Sequence, residues 1–120
     1  MKEEWIKKRA LLSSKSVYTK YYAVKENNQE VGFISMDVNP KVIYLVLYEI
    51  FVPEHLRNNG YGSLLLRETE IVAKKLDYRK ITINPVPFEK NISKSNLIAW
   101  YQKYGYSQME SGTGELEKAI

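Results

Sequence analysis

Residues 54–66 read EHLRNNGYGSLLL, and Gly60 and Gly62 stand there at the point where one hydrophobic pattern gives way to another. Upstream, residues 42–52 are apolar at nearly every position, as in a strand covered on both faces at the centre of an α/β sheet. Pro53 stops that run. Downstream, Tyr61, Leu65, Val72 and Leu76 fall on one helical stripe, widened by Leu64 and Ile71. Lys74 and Lys75 suit the C-terminal end of such a helix. Glycine weakens a helix start, so the bare backbone at this junction needs another reason. Amide groups of residues 57–62 turned into one concavity, backed by the positive end of a helix, make an anion seat. Without Cβ atoms the chain lets an anion such as phosphate lie directly on it.

The same patterning extends outward. Residues 2–13 read as a short helix with Trp5, Arg9 and Leu12 on one face. Residues 18–25 and 31–38 are strands, joined by Glu26-Asn27-Asn28-Gln29, whose asparagines tolerate the left-handed turn of a hairpin. Asn39-Pro40 turns the chain into the long apolar strand. Residues 79–84 form a further strand, and 85–94 a loop with two prolines. Ser93 or Ser95 caps a helix that runs to about Tyr104 and ends at Gly105. Residues 106–110 and 115–119 close the chain as a hairpin around Ser-Gly-Thr-Gly. The predicted order is α, β, β, β, α, β, α, β, β, a mixed α/β (α+β) architecture in a single domain, 1–120.

Composition narrows the chemistry. The chain has 120 residues, 44% hydrophobic, with a net charge of +4. That suits one core and mild attraction for anions. There is no cysteine and one histidine, His55. Thiolate nucleophiles, Cys-based zinc sites and histidine clusters are excluded, and no metal is expected. The charged start argues against a signal peptide, and no apolar run approaches the ~20 residues of a membrane helix. A soluble cytoplasmic protein is expected, with no membrane partner.

Three phosphate-binding patterns compete for residues 57–66. A P-loop requires Lys followed by Ser or Thr after its last glycine, whereas Ser63-Leu64 follows Gly62. A dinucleotide turn requires Gly or Ala where this chain has Leu65. The third pattern, Arg/Gln-x-x-Gly-x-Gly/Ala, fits Arg57-Asn58-Asn59-Gly60-Tyr61-Gly62. It resembles the pyrophosphate loop of the GNAT family, the Gcn5-related N-acetyltransferases. Residues 97–106, with Tyr101, Lys103, Gly105 and Tyr106 in register, resemble the family's second signature, roughly A-x-x-x-Y-x-K-x-G-F.

The resemblance covers roughly residues 17–110 and carries expectations. It implies a GNAT fold: a mixed central sheet with a V-shaped splay between strands 42–52 and 79–84, flanked by helices and short at its N-terminus. Acetyl-CoA is the implied acetyl donor. Its diphosphate would lie on Arg57, Asn58, Asn59, Gly60, Tyr61, Gly62 and Ser63. Its pantetheine arm would pair with backbone near Ile50, Phe51 and Val52. Where the family often has an asparagine seven residues before the helix tyrosine, this chain has Lys94, with Asn96 two residues on; either is expected to meet the coenzyme. The acceptor is expected to be a small-molecule or peptide amine, bounded by residues 1–17 and 85–95. Family members often pair through edge strands, so a homodimer is allowed for.

The implied chemistry assigns few parts. An amine must lose a proton, the developing oxyanion needs an N–H donor, and the leaving thiolate benefits from a proton. Glu49 is the only charge in residues 42–52, and burial strengthens a carboxylate as a base. Asp37 and Glu54 are secondary candidates. A backbone N–H near Phe51 or Val52 would face the oxyanion, and Tyr101 would serve as the acid. Two other readings compete: a non-catalytic CoA-binding module, and a toxin-like member acting on aminoacyl-tRNA. The modest charge argues against a nucleic-acid partner.

Overall fold

A computed structural model describes residues 17–86 and 92–120. The expected helix over 2–13 lies outside the described residues, as does the short N-terminus. The described elements are β1 (Thr19–Glu26), β2 (Gln29–Asp37), β3 (Tyr44–Phe51), a 3-10 turn (Glu54–Leu56), α1 (Tyr61–Lys75), β4 (Lys80–Ile83), α2 (Lys94–Lys103), β5 (Ser107–Gln108) and β6 (Leu116–Ala119). The sheet runs β1-β2-β3-β4-β6-β5, with β3 and β4 parallel and every other pair antiparallel. No described helix is long and apolar enough to cross a membrane.

Local chemistry explains the connections. Asn27 and Asn28 both adopt left-handed φ, 53° and 66°, the pair of angles that a tight hairpin requires. The Asn39 side chain accepts the Lys41 amide at 2.9 Å and so closes the turn at Pro40. At the end of α1, Tyr78 N–H bonds Ala73 C=O at 3.0 Å and Asp77 N–H bonds Lys74 C=O at 3.1 Å. This is a Schellman ending with an aspartate, φ 64°, in the glycine position. Ser93, not Ser95, caps α2, its Oγ accepting the Asn96 amide at 3.1 Å.

The core lies between the sheet and the helices, where Ile34, Met36, Leu45, Leu47, Leu65, Leu66, Ile81 and Leu116 are buried. The buried face of α1 differs from the expected stripe. Leu65, Leu66, Thr69 and Ala73 point inward, whereas Ile71 and Leu76 are 40% and 48% exposed. Thr69 conceals the true face from a hydropathy reading. Its hydroxyl donates to Leu65 C=O at 2.9 Å, which satisfies it inside the core. The central strand is also shorter than expected. Val42 and Ile43 lie in a bend before it, and Ile43 is exposed.

Two irregularities shape β3. Ser35 pairs with Glu49 and Met36 with Leu47, so Tyr48 is an extra residue, a β-bulge. The bulge breaks the alternation along the strand. Leu47 stays on the face of Met36, while Glu49 joins the face of Ser35. On the other side, the ladder to β4 runs from Tyr44–Lys80 to Leu47–Ile83 and ends there. β3 continues to Phe51, whereas the chain leaves β4 through Asn84-Pro85. Proline offers no N–H to a ladder, and Val86 N–H turns back to Asn84 C=O at 2.8 Å. The expected splay between these strands thus follows from Pro85.

Candidate active site

The splay opens into a cleft of about 460 Å³ bounded by the end of β3, the loop into α1, the exit of β4 and one face of α2. At one end lies the start of α1. Gly60 is its N-cap in the left-handed region, φ 80°, with no side chain capping the helix and no acid in the first turn. The first amides of a helix have no partner within it. Here the lining of the cleft includes Gly60, Tyr61, Gly62 and Ser63. Ser63 Oγ donates to Gly60 C=O at 2.9 Å and so leaves those amides alone. An anion is the natural complement of this end.

The two glycines do different things. A Cβ on Gly60 would meet nothing within 4 Å, so its glycine serves the positive φ. A Cβ on Gly62 would lie 3.2 Å from Cζ2 of Trp100, so this glycine admits the indole of α2. Arg57 lines the cleft while its Nε donates to Val52 C=O at 3.0 Å and its guanidinium carbon sits 6.0 Å from the Phe51 ring centroid. It braces the loop against the end of β3. Asn58 lines the cleft in a left-handed conformation, φ 65°. Asn59 is outside the lining; its Nδ2 donates to Leu56 and Arg57 carbonyls at 3.0 and 3.2 Å and stitches the loop together.

At the other end, Glu49 and Tyr101 are 5% and 4% exposed, and both line the cleft. Burial first, then the Glu49 carboxylate, holds the Tyr101 hydroxyl above the ordinary tyrosine range, so it stays protonated. No hydrogen bond of that hydroxyl forms among the described residues, and its ring is gripped on both sides. Trp100 packs edge-on at 5.1 Å and Tyr106 at 5.9 Å between ring centroids. The spacing Tyr101…Gly105-Tyr106 has a backbone cause. Tyr106 N–H bonds Tyr101 C=O at 3.3 Å and Gly105 N–H bonds Gln102 C=O at 3.1 Å. With Gly105 at φ 99°, this is a second Schellman ending, and it brings Tyr106 back onto Tyr101.

The cleft wall therefore includes Ile50, Phe51, Val52 and Asn96 as well, while Lys94 is exposed at the start of α2 and outside the lining. Among the lining residues Glu49 is the one carboxylate. Glu54 and His55 are exposed in the 3-10 turn and away from the cleft. Sequence reading missed the apolar wall of Val86, Ile92, Leu97, Trp100 and Tyr104 and the polar pair Tyr48 and Asn84. A helical count along α2 finds part of it, since Leu97, Trp100, Tyr101 and Tyr104 share one face.

Comparisons with known proteins place the fold. No curated protein shows significant sequence similarity to the chain. Among solved structures, a GNAT family acetyltransferase from Elizabethkingia anophelis with acetyl-CoA bound is similar, with a TM-score of 0.67 and 21% identity over 98% of this chain and 84% of that one. An IAA acetyltransferase from Bacillus cereus is similar with a TM-score of 0.69 and 22% identity over 95% and 91%. Tetrahymena GCN5 shares the fold at a TM-score of 0.67 and 12% identity over 88% and 70%. The sequence matches the family profile of the Acetyltransferase (GNAT) domain over residues 18–108. With that match across most of its length, the chain belongs to the GNAT family of acetyltransferases.

Proposed function

We propose that the chain moves the acetyl group of acetyl-CoA to a primary amine by direct attack in a ternary complex. The observation that carries this reading is one cleft with an uncapped helix start at one end and a buried carboxylate–tyrosine pair at the other. The amides of residues 58–63 receive the diphosphate, since the Arg57 N–H is already given to Glu54 C=O at 3.2 Å. Backbone at Ile50, Phe51 and Val52, beyond the end of the β3–β4 ladder, receives the pantetheine arm as an added strand would. Asn96 lies on the cleft wall and suits the remaining coenzyme contact better than Lys94. The bound thioester supplies the activated acetyl carbon.

The side chains then divide the proton work. Glu49 takes the proton from the attacking amine. An N–H near Phe51 or Val52 faces the developing oxyanion, a contact of a kind worth roughly 10²–10³ in rate. Tyr101 gives a hydrogen bond, and then its proton, to the departing sulfur. The burial that raises the tyrosine also disfavours a thiolate in the same place, so the transfer stays matched. Mass spectrometry of pooled primary amines and peptides incubated with acetyl-CoA tests the proposal. Acetylated amine products and matching thiol release are expected. Tight acetyl-CoA binding without any product would point to a binding module instead.

A further inference from the structure

A groove of about 130 Å³ adjoins the cleft, and the proton and acyl steps leave it unused. Ser63, Leu66, Arg67, Glu70, Tyr104 and Lys118 line it. Ser63 and Tyr104 also line the cleft, so the two hollows share a wall near the start of α1. The four α1 residues fall at helical spacing and form one stripe running away from the bare helix start. Arg67 stands four residues past Ser63, about 6 Å further along the helix axis.

The charges of the groove do not cancel. Glu70 is already matched: Lys118 Nζ lies 3.2 and 3.1 Å from its two oxygens, and the Tyr106 hydroxyl donates to Oε2 at 3.2 Å. That leaves Arg67, which is exposed and forms no hydrogen bond or ion pair among the described residues. The Lys103 ammonium adds a second positive charge beside the shared wall, 6.0 Å from the Tyr104 ring centroid. A guanidinium presents parallel N–H donors that fit two phosphate oxygens at once. The groove therefore suits an anion that reaches it from the cleft.

We propose that Arg67 binds the 3′-phosphate of coenzyme A and so makes the chain select the full coenzyme over its 3′-dephospho form. The proposal rests on reading the cleft as the coenzyme's seat, with the diphosphate on residues 58–63. In coenzyme A the 3′-phosphate sits on the ribose that follows the diphosphate. On the protein, Arg67 sits one helical turn beyond Ser63. A ribose crossing the wall of Ser63 and Tyr104 thus carries its phosphate to Arg67. That phosphate holds roughly 1.5 to 2 negative charges at neutral pH, whereas the dephospho form offers a neutral hydroxyl in its place. The site reads the nucleotide end of the coenzyme and takes no part in the transfer itself.

Calorimetric titration with coenzyme A and with 3′-dephospho-coenzyme A tests this in the wild type and three variants. The wild type is expected to bind coenzyme A about tenfold more tightly than the dephospho form, as a charge-assisted contact near the surface would give. Arg67→Gln is expected to weaken coenzyme A by about that factor and to leave the dephospho form unchanged, so that the preference disappears. Arg67→Lys keeps the charge without the fork and is expected to fall between. Lys74→Gln removes an exposed charge from the same helix outside the groove, and is expected to keep the wild-type preference. Equal affinity of the wild type for the two forms overturns the proposal and leaves the acetyl-transfer reading standing. So does a preference that survives Arg67→Gln, or one that Lys74→Gln erases as fully. A wild type that binds neither form removes the acetyl-transfer reading, and this proposal with it.

Discussion

Gly62 and Trp100 stand 3.2 Å apart once a Cβ is placed on the glycine, and nothing in the linear sequence joins them. Alanine in place of glycine ordinarily stabilises a helix interior by about 0.5–1 kcal/mol. At this site the indole opposes that gain. Gly62→Ala is therefore expected to be neutral or destabilising alone, and stabilising by about that amount when combined with Trp100→Phe. Denaturant unfolding of the four proteins measures the coupling. The sequence shows both glycines but reads them as a single device, because the indole arrives from a helix that only the folded chain brings near. Tyr101 was legible through its spacing to Gly105 and Tyr106, whereas its grip between two rings was not. Tyr101→Phe keeps the ring packing and removes the hydroxyl. It is expected to lower turnover by roughly 10²-fold or more, with acetyl-CoA affinity nearly unchanged. Steady-state kinetics beside calorimetry separates the two quantities.

Elements were readable where a residue type fixes the backbone. Asn27-Asn28 made the hairpin, Pro85 ended the β4 ladder, and Gly105 ended α2. They were less readable where packing decided. The bulge at Tyr48 leaves no mark in composition, since it depends on register between strands. The buried face of α1 turns on Thr69, a polar residue that satisfies its hydroxyl internally. Lys74 and Lys75 do occupy the last turn of that helix. The cap that follows it offers a test. Asp77 holds φ 64° in the position that glycine usually fills. Asp77→Gly relieves the left-handed strain, and is expected to raise stability by about 0.5–1 kcal/mol, read as a higher denaturant midpoint at constant slope.

The whole molecule joins a hairpin half, β1 to β3, to a second half built from β4, β6 and β5 through one parallel pair. The order of elements came from periodicity and the splay between strands 42–52 and 79–84 from family resemblance, whereas the order of strands in the sheet was not read from the sequence, because pairing partners are chosen by tertiary packing. Four tyrosines hold contacts within and between these halves: Tyr48 to Asp37, Tyr78 to the Asn39 carbonyl, Tyr101 inside α2's aromatic face, and Tyr106 to Glu70. Burial is the first cause that raises each of them above the ordinary range. Their contribution to folding is fully present below the unfolded tyrosine value of about 10 and is lost as pH climbs above it, because the unfolded chain then releases protons that the folded one keeps. Thermal unfolding is accordingly expected to shift to lower temperature as pH rises beyond about 10. The account rests most heavily on the bare helix start. Calorimetric titration of acetyl-CoA into the wild type, Gly60→Ala and Gly60→Glu tests it, the alanine sharing the backbone strain without the charge. Binding is predicted in the wild type and in Gly60→Ala, with a loss of roughly a hundredfold or more in Gly60→Glu, where a carboxylate meets diphosphate. Equal affinity in all three would contradict the placement of the coenzyme on this loop.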